Sequence, residues 1–163
     1  MPPAPNLASH SGQLLTFVVA GEEFGVDILR VQEIRGWSRP MPLPNTPAYI
    51  KGVINIRGDI VPIADLRERL GLASIQATAT TVIVVVRVEH DGQGRTMGFV
   101  VDAMSDVTSV ARDAIKPPPE LAEMAGMAGM SSGIALVEQR MITLLDVDRV
   151  FPVPNPSRVA DAA

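Results

Sequence analysis

Few side chains in this sequence are of a type that does chemistry. There are two histidines, His10 and His90, and no cysteine. The lack of cysteine removes disulfide frameworks, thiolate nucleophiles and sulfur-ligated zinc. His10 falls in a Pro- and Ser-rich stretch, and His90 stands beside the turn signal Asp91-Gly92. Neither has further ligand types at the spacing of a metal site, so both read as solvated surface. No serine lies on a strand–turn–helix elbow with a histidine placed as its base. Gly21, Gly25, Gly92, Gly94, Gly98 and the glycines from Gly126 to Gly133 match neither the Walker pattern nor a dinucleotide fingerprint. Asp27, Asp65, Asp102, Asp106 and Asp146 are the remaining candidates, as carboxylate pairs for acid–base work. Most stand at strand ends, where Asp usually caps or turns the chain. The reading is a protein that binds rather than transforms: no enzyme, no cofactor, no metal.

Composition narrows the class. The 163 residues carry a net charge of −4 and are 47% hydrophobic, enough to bury a core in one globular unit or two small halves. The 14 Lys and Arg are scattered, with no basic stripe to neutralise phosphates, which argues against nucleic acid. The start shows no cationic patch followed by an apolar run, as a signal peptide would. The longest strongly apolar stretch, Val82 to Val86, is too short to span a bilayer. A soluble cytoplasmic protein is expected.

The elements that must position any binding surface are mostly strands. Met1–Gln13 and Pro152–Ala163 read as disordered tails around one ordered region, 14–151. Inside it, short runs of Val, Ile, Leu and Thr recur between Gly and Pro: Leu14–Ala20, Phe24–Ile28, Val53–Arg57, Ile60–Ala64, Thr81–Val88, Met97–Val101, Ile134–Val137 and Met141–Leu145. Helical pattern is confined to Asp65–Leu70, capped by Asp65 and stopped by Gly71, and to Glu120–Met127. Many short strands with little helix predict an all-β barrel or sandwich.

The segment Gly52–Leu66 (GVINIRGDIVPIADL) is the most informative. With Gly58-Asp59 as a type II′ turn, one face of the hairpin is Ile54, Ile56, Val61 and Ile63, and is core. The other holds Val53, Asn55, Arg57, Ile60, Pro62 and Ala64, and is seen from outside. The segment Gly133–Val147 aligns with it without a gap at an offset of 81 residues, setting Gly133 on Gly52 and Asp146 on Asp65. There Gln139-Arg140 is the turn and Ala135, Val137, Ile142 and Leu144 are the core face. Upstream, Gly25–Ile34 matches Gly98–Val107, with Val31 on Met104, Glu33 on Asp106 and Ile34 on Val107. Two matches in the same order point to an internal duplication. Two related small β-barrels are expected, roughly 14–72 and 78–151, with room for an exchange of terminal strands.

These same segments resemble a known family. Gly21–Gly36 (GEEFGVDILRVQEIRG) and Asn45–Arg67 (NTPAYIKGVINIRGDIVPIADLR) look like the first half of CheW, the coupling protein of bacterial chemotaxis. Thr81–Val88, Gly98–Val107, Ile115–Glu120 and Arg140–Phe151 look like its second half. The likeness runs from Leu14 to Phe151. It implies two interlocked five-stranded barrels of the Src-homology-3-like kind. It also implies a non-catalytic adaptor that binds the cytoplasmic tip of methyl-accepting receptors and the regulatory domain of the histidine kinase CheA, recruited to receptor arrays at the inner face of the membrane. The Met- and Gly-rich stretch Ala122–Gly133 departs from the family, which often carries an aromatic there. Alternatives are a coupling protein of the same fold serving pili or another output, and an unrelated β-barrel peptide-binding module. The latter wants an aromatic-lined groove, yet the chain has one Trp (Trp37) and one Tyr (Tyr49).

The resemblance also marks residues. Arg57 lies in its N-x-R-G segment, and Glu33 matches a position tied to receptor binding. Each has a plainer reading, Arg57 as a turn-stabilising ion pair and Glu33 as a solvated carboxylate. Ile28, Val31 and Ile60 are expected as the floor of a groove for an amphipathic receptor helix, against the plainer reading of ordinary core. Val82 and Ile83 fall near that groove. The polar end of the face holding Ile83, Val85, Arg87 and Glu89 sets Ile83 nearer solvent. Met104 and Val107 complete a second wall, where a Met adapts to different partners. For the kinase, Asn45, Lys51 and Gly58 are carried over.

Overall fold

The computed structural model describes residues 12–90, 92–117 and 130–151. The expected helix Glu120–Met127, and all of the two tails except Gly12 and Gln13, lie outside them. Among the described residues eleven strands follow one another: β1 Gln13–Val19, β2 Glu22–Asp27, β3 Val31–Gly36, β4 Ile50–Ile56, β5 Asp59–Asp65, β6 Val82–His90, β7 Gln93–Val101, β8 Ala103–Ser109, β9 Ile115–Lys116, β10 Ser131–Val137 and β11 Arg140–Leu145. Two single-turn helices follow the later hairpins, α1 at Leu66–Arg69 after β5 and α2 at Val147–Val150 after β11. Asp65 and Asp146 cap them, each accepting a bond from the backbone N–H two residues on. This is the expected all-β class, built as two sheets.

Both expected hairpins form, but each turn sits one residue earlier than the sequence suggested. Ile56 pairs with Asp59 and Val137 with Arg140, so the turn residues are Arg57-Gly58 and Glu138-Gln139. All four have positive φ, 51°, 90°, 47° and 68°, which makes these type I′ turns. That hand of turn matches the twist of the flanking strands closely enough for non-glycine residues to adopt it. The Asn55 side chain supports the first by accepting from the Gly58 N–H at 2.8 Å. Moving a two-residue turn by one residue shifts the pairing by two, so every side chain keeps its face. Ile54, Ile56, Val61 and Ile63 are core-facing as expected.

The sheet orders are β8-β1-β2-β11-β10-β9 and β3-β6-β7-β5-β4. The first hairpin, β1–β2, thus lies beside the late strands, while β3, β4 and β5 join the β6–β7 hairpin. Each sheet takes strands from both halves of the chain. The duplication holds at the level of single contacts. Ile63 stands opposite Gly98 in the parallel β5–β7 pair, and Leu144 opposite Gly25 in the parallel β11–β2 pair. Asp65 donates its N–H to Tyr49 O, and Asp146 donates to Met130 O. Gly52 and Gly133 both have positive φ, and a Cβ there would lie 2.1 Å from Met41 O and 2.6 Å from Lys116 O. Only glycine permits so close a backbone approach.

Three apolar cores result among the described residues. The largest lies between the sheets and draws Leu15, Phe17, Val19, Phe24 and Val26 from one and Val84, Val86, Val88, Met97 and Phe99 from the other. Within it Phe99 stacks on Phe151 and meets Phe17 at a tilt, with centroids 5.3 and 5.4 Å apart. Two smaller cores line the opposite face of each sheet: Ile56, Val61, Ile63, Ile83 and Val85 in one, Leu14, Ala135, Ile142 and Leu144 in the other.

Two buried-edge ion pairs lock the halves. Arg67 of α1 grips Asp102, at the β7–β8 corner, through Nε and Nη2, and Asp102 also accepts from the Ala20 N–H. At the equivalent place in the other half, Asp148 of α2 pairs with Arg30 at the β2–β3 corner. The two pairs have opposite polarity. Because every sheet needs both halves, we expect a chain divided within residues 72–80 to give two fragments that are each unfolded by circular dichroism and regain β structure on mixing. A cooperative unfolding transition from either fragment alone would contradict this.

Candidate functional site

The candidate surface lies where the inter-sheet core meets solvent. Residues paired across strands share a face, so the core itself shows which way the edge strands point. On β3, Val31 stands opposite Val86 and Ile34 opposite Val84. On β8, Met104 stands opposite Phe17 and Val107 opposite Leu15. All four partners belong to the inter-sheet core. Val31 and Met104 are half-buried against it, as are Ile28 and Val82. Ile34 and Val107, further along, are 43% and 54% exposed. Ile60 lies on the same side of β5 as the core residue Ala64 but near the strand's free end, and is 64% exposed. Alternation therefore sets an apolar rim on both edge strands, continuous with the core and open to water. Ile34 was missed by sequence reasoning, although its repeat counterpart Val107 was singled out; the alignment of the two segments carried the signal.

Ile83 does not belong there. It has no exposure at all and packs with Ile56, Val61, Ile63 and Val85. The expectation that it lies nearer solvent failed for a physical reason. β6 is an inner strand covered on both faces where it runs between β3 and β7. Its pairing with β3 ends at Val31 and Val86, so Arg87 and Glu89 emerge only where β6 runs past its neighbour. Their polarity says nothing about Ile83.

Glu33 and Arg57 come together. Glu33 pairs with Val85 on the small-core side of the sheet, and Arg57 Nη2 donates to Glu33 Oε1 at 2.8 Å. This joins β3, at one edge, to the turn of the hairpin at the other, so the sheet curls until its ends meet across the mouth of the small core. The Arg57 side chain is 78% exposed and that of Glu33 23%. The other half repeats the clasp. Arg140, just past the second turn, binds Glu23 and lies 3.5 Å from Asp106, the counterpart of Glu33. The pKa of Asp106 is lowered from the usual carboxylate value, first by the Thr16 hydroxyl and then by that of Thr108.

Asn45, Lys51 and Gly58 are not brought to one place. Asn45 is exposed in the segment before β4, Lys51 pairs with Glu68 of α1, and Gly58 sits in the turn at the far end of β4. Lys51 lines a cavity of about 630 Å³ with Trp37, Arg39, Arg67 and Asp102, in which two of the three cations are already held by carboxylates. Among the described residues no three His, Cys, Asp or Glu side chains converge to hold a metal ion, and no helix is long and apolar enough to cross a membrane. The arrangement can offer an apolar rim, a part-exposed ion pair and backbone edges to a partner.

Comparison with known proteins agrees with this architecture. The family model of the CheW-like domain matches residues 13–154. A chemotaxis protein CheW from Rhizobium meliloti (strain 1021) is 40% identical over 149 residues, 91% of this chain and 93% of the relative. A chemotaxis protein CheW from Klebsiella aerogenes is 40% identical over 151 residues, 93% and 88% of the two chains. Among solved structures, the scaffolding protein TtCheW from Thermoanaerobacter tengcongensis superposes with a TM-score of 0.77 at 30% identity, covering 87% of this chain and 93% of that one.

The charge geometry has a pH signature. Hydrogen bonds from Arg67, and then from the Ala20 N–H, outweigh burial and hold the Asp102 pKa below its usual value. A carboxylate made more acidic by folding stabilises the fold above its unfolded pKa of about 4, and that stability is lost as pH falls through the lower folded value. We expect Asp102→Asn to cost about 1–2 kcal/mol at neutral pH, after discounting for partial exposure. The cost should shrink below pH about 4, as followed by urea unfolding at several pH values.

Proposed function

The chain belongs to the CheW-like family of chemotaxis coupling proteins, and on that premise we propose that it works by binding alone, holding a receptor and a kinase together. The receptor partner is the cytoplasmic helical tip of a methyl-accepting chemoreceptor. The kinase partner is the regulatory domain of CheA. The protein acts in the cytoplasm, recruited to receptor arrays, and carries out no catalysis.

The observation that carries the reading is the apolar rim. Ile28, Val31, Val82 and Met104 are half-buried against the inter-sheet core, and Ile60 and Val107 are more than half exposed beyond it. A receptor helix laid along β3 and β8 extends that core, its apolar stripe losing contact with water while the existing packing supplies a rigid floor. Glu33 and Arg57 at the side of the rim fix orientation. Arg57 has several N–H donors beyond the one spent on Glu33, and these are open to a polar side chain of the helix. Asn45, Lys51 and Gly58, spread from the segment before β4 to the turn after it, serve the kinase. Coupling then follows from differential contact: a shift in how the helix sits changes which packing of the complex is favoured, and a few kcal/mol suffices to move kinase populations.

We expect Glu33→Lys or Arg57→Ala to weaken capture of a receptor fragment by about tenfold and to reduce receptor-dependent kinase activation, with the β circular dichroism unchanged. Wild-type receptor capture and kinase coupling by a folded double variant would reject both assignments. Loss of receptor capture with kinase capture kept is the pattern that separates the two surfaces.

A further inference from the structure

Both edge strands of the rim carry one extra residue, at equivalent places. One residue separates Leu15 from Phe17 on β1, but two separate their partners Val107 and Met104 on β8. Val85 and Val86 of β6 are adjacent, but Gln32 stands between their partners Glu33 and Val31 on β3. Each is a β-bulge, and the repeat sets Gln32 on Ser105. The bulge lets residues three apart share a face, Val31 with Ile34 and Met104 with Val107. In a regular strand they would point to opposite sides.

The shared face lasts only while the bulge stays in place. A step of the β8 bulge toward Ser109 would bring Asp106 opposite Leu15 and turn Val107 away. The two bulges are pinned differently. On β3, Glu33 stands opposite the apolar Val85 and is held by Arg57 across the sheet, at 2.8 Å. Leu15 and Phe17 pair with the repeat counterparts of the partners of Val84 and Val86, so Thr16 matches Val85. Thr16 has no exposure. Its hydroxyl accepts from the Asp106 N–H at 3.0 Å, donates to Asp106 Oδ1 at 2.7 Å and lies 2.9 Å from the Asp106 carbonyl oxygen. Arg140 stays 3.5 Å from Asp106 and is committed to Glu23. One buried hydroxyl thus selects Asp106 as the residue that stands over Thr16.

We propose that Thr16 is a positioning residue for receptor binding: its hydroxyl fixes the β8 bulge and so keeps Met104 and Val107 together on the rim. The inference rests on the reading of that rim as the receptor surface. Thr16 itself is buried and touches no partner; it acts through Asp106. A valine fills the matching site in β6 as ordinary core, so Thr16→Val removes the hydroxyl while leaving a side chain that the fold already accepts there.

The test uses the full chain, a receptor-tip fragment and the regulatory domain of the kinase. Thr16→Val should weaken receptor capture about tenfold and leave kinase capture unchanged. By NMR, its NOEs between Val107 and Leu15 should fade and new ones should join Asp106 to Leu15. Thr16→Ser, which keeps the hydroxyl, should show wild-type capture and wild-type NOEs. Intact Val107–Leu15 NOEs in Thr16→Val, or wild-type receptor capture by it, overturns the proposal. So does a Thr16→Ser variant as weak as Thr16→Val, or an equal loss of kinase capture, which marks general damage to the fold. Val107→Ser tests the rim by itself. Weakened capture by Val107→Ser beside wild-type capture by Thr16→Val rejects the role of Thr16 alone. Wild-type capture by Val107→Ser rejects the receptor assignment of the rim, and this proposal with it.

Discussion

The apolar layer between the two sheets is the contact on which the molecule depends. It cannot be made by either half of the chain. Phe17 comes from the first hairpin, Phe99 and Phe151 from the second half, and the Phe99 ring is in contact with the other two. The reciprocal exchange of strands forces this: the β1–β2 hairpin is committed to the sheet of the late strands, and β3–β5 to the sheet of β6–β7. Folding must therefore close contacts far apart in sequence before the layer exists. The candidate surface is the exposed margin of the same layer, so the packing that holds the fold together also stiffens the floor of that surface.

The two small cores pose a different problem, because a curled sheet leaves an open mouth. At each, an arginine near a hairpin turn reaches a carboxylate on an edge strand of its sheet, Arg57 to Glu33 and Arg140 to Asp106. Such pairs contribute little stability when solvated, and Arg57 is largely solvated. Their value is positional. They fix where the edge strand ends relative to the turn, and they leave a charged group beside an apolar margin. The structural and functional readings of Arg57 are compatible, since the same side chain has donors left after it has met Glu33.

Much of this was legible in the residues. Period-two alternation gave both hairpins and one core face of each, and a single gapless offset aligned the two. The face expected outside on the first hairpin is buried at Val53 and Ala64, and Ala64 there joins the core between the sheets. Where the sequence misled, the cause was local. Turn type was misjudged because Arg57, Glu138 and Gln139 take left-handed conformations normally assigned to glycine or asparagine. The strands β3 and β8 went unnoticed because edge strands are half-solvated, and segments such as VQEIRG and AMSDVTS carry too few apolar residues to stand out. Ile83 was misplaced because a strand buried on both faces has no polar side to read, and the charges beyond its covered part belong to an overhang. Arg140 and Asp106 were invisible as a pair until the register was known.

The corner ion pairs have a consequence for assembly. Arg67 meets Asp102 in one half, while Asp148 meets Arg30 in the other. Two copies of the first half would leave Arg67 without Asp102, and two copies of the second would leave Asp148 without Arg30. Only unlike halves complete both corners. The chain is in effect an obligate heterodimer threaded on one backbone, and that asymmetry frees its two outer flanks to diverge in sequence without ever competing for the same mate.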